Sequence, residues 1–447
     1  MRGWLQQATG GLPRQFWFLW TGTLINRLGA FVVIYLAIYL TQALHFSQSQ
    51  AGLVLGAYGV GGAVGTMTGG VLADRWGRRP TLLTAQFGAA ALMLTLGFAG
   101  GFWQLAAGAL LLGVFAEGVR PAFQAMMIDI VPDRDRIRAY SLNYWAINLG
   151  FASAAVLAGF AAQFDYLLLF VVDAGTTLVT AVISLIFLAE TRPTRTAQPA
   201  EAKRTRGGPG LGTVFRDRVF VGFLLLNFFV VLVVMQHMST LPIAMSADGL
   251  SPATFGWVIA INGLMIVAGQ LFVPKLIDGR NRTRVLALAT LILGVGFGLN
   301  AFAGTVALYA VSVVIWTLGE MLQAPSNSAL IAELSPAALR GRYQGVNSLS
   351  WSAGSALAPI VGGVVQEHLG STVLWLSCAG IGVVMAAGQI ASGPARERRV
   401  AALRQHSAVP TATQPAMAPP SVGEARPDEN ATPPSIAAET VRVPARD

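Results

Sequence analysis

The chain has 447 residues, of which 54% are hydrophobic and 11% charged, and its formal net charge is +9. Soluble domains carry about 25% charged residues, so the composition argues against a water-soluble globule and excludes an intrinsically disordered chain. The single cysteine, Cys378, excludes a disulfide framework, and four histidines far apart in sequence predict neither a metal site nor a cofactor.

Apolar runs long enough to cross a bilayer, about 20 residues each, recur twelve times along the chain. They lie at 15–41, 50–72, 81–100, 104–130, 139–162, 166–189, 218–242, 253–276, 285–303, 305–331, 342–365 and 370–392. The first run is too long for the apolar part of a signal peptide and has no cleavage-site pattern, so we expect it to be retained. The sequence therefore predicts an all-α membrane protein with twelve transmembrane helices, numbered here as spans 1 to 12.

Among the connections between the spans, only alternate ones contain lysine or arginine. They occur in connections 2–3, 4–5, 6–7, 8–9 and 10–11 and near both ends of the chain, whereas the other connections contain none. By the positive-inside rule, both termini are predicted to be cytoplasmic, in a multi-pass protein of the cell membrane. The net charge thus reflects topology in a lipid bilayer, and a nucleic-acid partner is not expected.

Two polar segments divide the chain. Residues 190–217 are basic and contain proline and glycine, which predicts a cytoplasmic linker between an N-terminal six-helix bundle at 1–189 and a C-terminal one at 218–392. Residues 393–447 are rich in proline, alanine and charge without an apolar period, which predicts a disordered cytoplasmic tail.

The two predicted bundles repeat with a constant offset of 204 residues. The register includes Asp74 with Asp278, Arg78 with Arg282, Pro121 with Pro325, Asp129 with Glu333, and Arg136 with Arg340. Charged and proline matches in one unbroken register do not arise easily by chance. Two pseudo-symmetric bundles in the same orientation form a parallel repeat, the architecture of secondary transporters of the major facilitator kind.

The connection between spans 2 and 3 reads GVLADRWGRR at residues 70–79. It resembles the signature G-x-L-x-D-R-x-G-R-R of the major facilitator superfamily, and the resemblance covers residues 15–392. It implies the major facilitator fold, a central cavity lined by spans 1, 4, 7 and 10, and transport of a small molecule. We expect the transporter to be a monomer.

Shorter strings resemble the drug:proton antiporter branch, in particular LmrP-like multidrug exporters. They are AMMID at 125–129, LNYWAINL at 142–149, TLGE at 317–320 and APS at 324–326. The chain departs from that branch at Asn143, where the branch has an acidic residue, and at Ala109, which replaces the arginine of an R-x-x-x-G signature in span 4.

The superfamily resemblance also implies a set of gating residues at the cytoplasmic ends of the spans. In the superfamily, the motif aspartate caps the start of span 11 in the outward-open state, and an arginine of the motif pairs with an acid at the end of span 4. By resemblance this set is Asp74, Arg75, Arg78, Arg79 and Asp129. The offset of 204 predicts a second set, in which Asp278 lies beside the start of span 5 and Arg282 pairs with Glu333.

Four charged residues lie near the middle of spans that line the cavity in this superfamily: Arg27, Glu117, Arg120 and Glu320. An unpaired charge at that depth costs at least about 2.5–3.5 kcal/mol, so a functional role is expected. Glu117 and Arg120 are three residues apart and close enough to pair, which leaves a structural role open for them. Glu320 has no basic neighbour at helical spacing, and we predict that it carries the coupled proton, with Glu117 in a secondary role.

Further polar and aromatic residues are predicted to contribute to the substrate cavity beside Arg27 and Arg120. They are Asn26, Asn143, Trp145, Asn148, Gln236, Gln323 and Trp351. Their aromatic rings offer stacking surfaces for flat or amphipathic solutes. Asp173 on span 6 is expected to be structural and hydrogen-bonded, and His237 on span 7 is expected to make a polar contact rather than carry protons.

The source of energy follows from what the sequence lacks. It contains no G-x-x-x-x-G-K-[ST] phosphate loop, which leaves an ion gradient or no energy source at all. Proton-coupled export of small amphipathic drugs or metabolites is the leading hypothesis. The alternative is a proton symporter or uniporter for a sugar, osmolyte or organic anion, the anion being bound by Arg27 and Arg120. An enzyme or membrane sensor would need a catalytic cluster or a sensory domain, and neither is apparent in the sequence.

Overall fold

The computed structural model describes residues 10–191, 212–270, 272–336 and 339–408, and no β-strand occurs within these ranges. Twelve of the described helices are long and apolar enough to cross a membrane, which confirms the predicted fold class. Spans 1 to 6 are Arg14–Ala43, Gln48–Arg75, Arg78–Gly97, Phe102–Ile130, Arg138–Phe164 and Leu167–Phe187. Spans 7 to 12 are Arg218–Ala247, Pro252–Gly269, Arg282–Phe302, Val306–Leu334, Arg340–Leu369 and Ser371–Gln405.

Helix starts repeat with the predicted offset of 204 residues. The side chain of Ser47 accepts a hydrogen bond from the Gln50 N–H at the start of span 2, and Ser251 accepts one from the Thr254 N–H at the start of span 8. Each serine satisfies a backbone donor that has no partner within its helix. The same local sequence signal therefore begins the equivalent helix in the N half (spans 1 to 6) and the C half (spans 7 to 12).

Spans 1 and 7 are both interrupted near their middle. Span 1 consists of helix Arg14–Leu28, a break at Gly29 and a helix that begins at Phe31. Span 7 breaks at Met235. A Cβ atom at Gly29 would overlap the Thr176 side chain of span 6, so glycine allows the close approach of the two spans at this break.

Each break frees backbone groups that nearby side chains contact. The Val32 N–H donates to the Asp173 carboxylate across 3.0 Å, and the His237 Nδ1 atom lies 2.5 Å from the Val234 carbonyl oxygen. Backbone groups inside a membrane need such partners because no water is available to bond them. These contacts agree with the structural role expected for Asp173 and the polar contact expected for His237.

The two halves meet at the end of the bundle opposite to the basic loops, which we call the opposite end. Gly52 of span 2 approaches Pro359 of span 11 so closely that a Cβ atom would collide with the Pro359 carbonyl oxygen. Between spans 1, 5 and 8, the Tyr35 hydroxyl donates to the carbonyl oxygens of Ala155 (2.8 Å) and Pro252 (3.0 Å). Small residues and backbone contacts thus hold the two halves together at the opposite end.

The last helix does not end at residue 392 but continues to Ala408. Arg396 is only 1% exposed and donates to the Gln389 Oε1 atom across 2.5 Å, and Arg399 pairs with Asp217 across 3.0 Å. The prediction of a disordered tail is therefore wrong for the residues from 393 to 408. Good helix formers continue the helix there, and Arg396 and Arg399 have partners within the bundle. Residues 409–447 of the predicted tail and 192–211 of the predicted linker lie outside the described residues.

Candidate transport site

A cavity of about 450 Å³ lies inside the N half, between spans 1, 3, 4 and 6. Its volume is in the range of small-molecule binding sites. Five of the residues predicted for the substrate path line it: Asn26, Arg27, Glu117, Arg120 and Asn143. We call it the N-half cavity.

The charged groups of the N-half cavity differ in whether an ion pair or a hydrogen bond stabilises them. Arg120 pairs with Glu117 across 3.0 Å, one helical turn away on span 4. The Asp173 carboxylate accepts a hydrogen bond from the backbone of span 1. Arg27 lies in the electrostatic field of Asp173, but no carboxylate of the described residues comes within ion-pair distance of its guanidinium. Of the two described arginines that line the cavity, Arg27 is thus the one that forms no ion pair.

Glu320 lies in the C half and does not line the N-half cavity. Its Oε2 atom accepts a hydrogen bond of 2.8 Å from Asn262 of span 8. The Asn262 amide also donates to the Thr317 hydroxyl across 3.1 Å. The structure therefore does not gather the four mid-span charges at one place, because Glu320 faces span 8 and the other three face the interior of the N half.

Sequence reasoning missed Asn262 as a partner of Glu320. The signal was available, since Asn262 is a polar residue in an apolar span and corresponds to Tyr58 at the offset of 204. Tyr58 lies within electrostatic range of Glu117 in the N half. Equivalent positions on spans 2 and 8 thus lie near the mid-span glutamates of spans 4 and 10.

The remaining residues predicted for the substrate cavity lie elsewhere. Gln236 is buried and donates to the Ala358 carbonyl oxygen across 3.0 Å, which joins spans 7 and 11. Asn148 donates to a backbone carbonyl of its own helix, and Gln323 is half-buried. Trp145 and Trp351 are exposed by 40% and 46%. None of these five residues lines the N-half cavity.

Both arginine–acid pairs predicted near the basic loops are present. The Arg78 Nε atom lies 3.2 Å from the Asp129 carboxylate, and Arg282 pairs with Glu333. The first pair joins spans 3 and 4 and the second joins spans 9 and 10, so each pair stays within one half. Neither pair alone holds the two halves together.

The motif residues next to these pairs occupy different environments. The Asp74 side chain is 78% exposed, with the Arg78 guanidinium 3.9 Å away, and within the described ranges it makes no hydrogen bond to the start of span 11. Arg75 is exposed, and the guanidinium of Arg79 donates to the Leu185 carbonyl oxygen. Asp278 is exposed and accepts a hydrogen bond from the neighbouring Gly279 N–H.

Glu190, at the end of span 6, is a second partner of the motif that the sequence did not reveal. Its carboxylate accepts hydrogen bonds from the backbone N–H groups of Arg78 (3.0 Å) and Arg79 (3.1 Å). An acidic group at a helix N-terminus is stabilised by the free backbone donors there. Glu190 belongs to the predicted linker at 190–217, but its side chain fixes the start of span 3.

The chain also resembles known proteins over most of its length. A family model described as Major Facilitator Superfamily matches residues 19–247 and 228–419. The chain is 28% identical over 376 residues to the uncharacterized MFS-type transporter YttB of Bacillus subtilis (strain 168), covering 82% of this chain and 92% of YttB. It is 25% identical over 356 residues to multidrug resistance protein MdtH of Aeromonas hydrophila, covering 79% and 87%.

Among solved structures, the fold matches a POT family transporter crystallised in complex with 5-aminolevulinic acid. The TM-score is 0.74 at 16% identity, and the match covers 87% of this chain and 98% of that one. At this identity the similarity concerns the fold alone.

Proposed function

The chain belongs to the major facilitator superfamily, and from this membership we propose that it is a secondary active transporter that exports small amphipathic molecules in exchange for protons. Export is supported by the similarity to MdtH, whose name describes multidrug resistance, and by the short strings shared with LmrP-like exporters. Transport by two bundles, at 1–189 and 218–392, would proceed by alternating access in a monomer.

The observation that carries proton coupling is the contact between Glu320 and Asn262. Glu320 lies at mid-span, and the hydrogen-bond partner described for it is a neutral amide. Adding a proton to this carboxylate breaks no ion pair, whereas protonation of Glu117 would break its pair with Arg120. Glu320 is therefore the better proton carrier of the two, and Glu117 remains a secondary site.

The orientation follows from the basic loops. We place the basic end in the cytoplasm, together with both termini, because cytoplasmic loops carry an excess of lysine and arginine. The opposite end, where the two halves are in contact, then faces outward, which makes the described conformation inward-facing.

Gating is proposed to depend on Asp74 and Asp278. In the inward-facing conformation Asp74 is exposed, so it is available to cap the start of span 11 when the basic end closes. The pairs Arg78–Asp129 and Arg282–Glu333 would keep the neighbouring spans rigid in both states, because each lies within one half.

The test is proton-coupled movement in proteoliposomes of the purified full-length chain. Wild type should show proton flux stimulated by some members of a panel of amphipathic compounds. Glu320→Gln should abolish uphill movement driven by a pH gradient, while exchange of labelled for unlabelled compound without a gradient persists. Glu397→Gln removes an exposed carboxylate and serves as the matched control.

Full gradient-driven accumulation by Glu320→Gln would contradict the proton assignment. Loss of accumulation in Glu117→Gln, with Glu320→Gln active, would move the proton site to span 4. Absence of proton flux with every compound, together with facilitated movement of a sugar or osmolyte, would favour the symporter or uniporter alternative.

A further inference from the structure

We propose that the N-half cavity binds the anionic group of an amphiphilic organic acid and that Arg27 is the cation that receives it. The cavity lies inside one half, between spans 1, 3, 4 and 6, rather than between the halves. Binding requires the cavity alone, whereas movement of the bound acid across the membrane rests on the transport function proposed above.

Arg27 presents to the cavity a guanidinium that forms no ion pair with the described residues. It lies at mid-span, and in the described part of the chain no carboxylate forms an ion pair with it. Its backbone is fixed by Gly150 of span 5, where a Cβ atom would collide with the Arg27 side chain. A charge at this depth is costly without a partner, and a guanidinium binds a carboxylate through two parallel hydrogen bonds.

The other charged groups of the cavity are already occupied. Arg120 pairs with Glu117 across 3.0 Å, and Asp173 accepts the hydrogen bond from the Val32 N–H at the break in span 1. Since the positive end of a helix lies at that break, the Asp173 charge is partly balanced by the backbone. One anionic group on the ligand, placed at Arg27, therefore completes the charge pairing of the cavity.

Two buried amides indicate a second feature of the ligand. Gln86 of span 3 and Asn143 of span 5 both line the cavity, and they are 5% and 9% exposed. The amide oxygen of each has no hydrogen-bond partner among the described residues. Buried polar groups without partners destabilise a protein, and a hydroxyl or N–H group on the ligand would satisfy them.

The rest of the wall is suited to an apolar body. Phe18, Met93, Leu112 and Phe123 contribute apolar surface to the same cavity. An acid with an aromatic or branched aliphatic body would place that body on these side chains and its carboxylate on Arg27. The site thus favours an amphiphilic acid over a sugar or an inorganic anion.

The location of the site also determines how a proton could be coupled to the ligand. Glu320 lies in the C half beside Asn262, so the proton and the acid occupy different sites. A ligand bound here therefore does not compete directly with a proton at Glu320. Coupling must pass through the conformation of the two halves.

Calorimetry on the full chain in lipid nanodiscs tests the site with three probes that share one body: 4-phenylbutanoate, 4-phenylbutanamide and 4-phenylbutylamine. The acid should bind about 10-fold to 100-fold more tightly than the amide, since a hydrogen bond to a charged group adds that much affinity. Arg27→Gln should remove this preference and leave amide binding unchanged. Arg134→Gln, whose side chain is 86% exposed, is the matched control.

Two further variants probe the cavity without changing its charge. Gln86→Leu should weaken binding of 4-(4-hydroxyphenyl)butanoate about 2-fold to 10-fold and leave 4-phenylbutanoate unaffected, with no loss of thermal stability. Ala89→Phe fills space at a buried lining position and should abolish acid binding. If Arg27→Gln does not fold, Ala89→Phe still tests whether the acid binds in this cavity.

Equal affinity for the acid and the amine would overturn the proposal, as would unchanged acid binding in a folded Arg27→Gln or Ala89→Phe variant. Acid binding that depends on Arg27, in a protein that moves no compound with a pH gradient, would support the site and count against the proposed function instead.

Discussion

Asn262 donates one hydrogen bond to the Glu320 carboxylate and another to the Thr317 hydroxyl, at 2.8 and 3.1 Å. Both protons of the amide are thus used, and the carboxylate is oriented by a neighbour on span 8. The contact links a charge in the membrane interior to a neutral side chain.

Asn262→Leu should reduce proton-driven movement about 10-fold or more, because a hydrogen bond to a charged group contributes about 1.5–3 kcal/mol. Exchange without a pH gradient should be affected less. The measurement is the initial rate of gradient-driven uptake in proteoliposomes. Asn300→Leu is the control, since Asn300 is equally buried and neither of its amide atoms has a partner among the described residues. An equal decrease of the uptake rate in both variants would argue against a specific role for Asn262.

Asp173→Ala should lower the stability of the folded protein by about 1–3 kcal/mol, because it leaves the buried Val32 N–H without its acceptor. Asp173→Asn keeps an acceptor oxygen and should lower the stability by less. Thermal unfolding of the purified variants in detergent gives this comparison. Proton-coupled movement per folded molecule should remain close to wild type. A stable Asp173→Asn variant that loses coupling would show that Asp173 carries protons.

Asp74→Asn should shift the population toward the described conformation by about 2-fold to 5-fold, because a carboxylate at a helix N-terminus contributes about 0.3–1 kcal/mol. The substitution should not destabilise the described conformation, because the Asp74 side chain is exposed there. A reporter cysteine at Ala356, buried in the contact between spans 2 and 11, should react more slowly in the Asp74→Asn background. Unchanged or faster labelling would contradict the gating role.

Cysteines at Asp133 and Gln163 should be labelled from opposite sides of the membrane in a Cys378→Ser background. Both positions are exposed, and they lie at the basic end and the opposite end of the bundle. The basic loops predict that Asp133→Cys reacts only when the reagent reaches the cytoplasm. Impermeant maleimide on intact and on permeabilised cells distinguishes the sides, and labelling of both from one side would contradict the topology.

Much of the fold could be predicted from the sequence because membrane insertion responds to local composition. Twelve apolar runs specify twelve spans, and the offset of 204 predicted the pair Arg282–Glu333 from the motif pair Arg78–Asp129. Local signals of this kind need no knowledge of how the helices pack. The end of the last helix was missed, because whether a charged segment stays helical depended on partners for Arg396 and Arg399.

The site was only partly predictable for a geometric reason. One residue turns a helix face by about 100°, so sequence position places a side chain at a depth in the membrane but not on a face. Only the packing of spans 8 and 10 placed Asn262 on Glu320, and only the break in span 1 brought Asp173 to a backbone donor. The same packing separated Glu320 from Arg27 and enclosed the N-half cavity within one half. The types and depths of the charged residues are thus set by the sequence, whereas their partners are set by how the helices are rotated against one another.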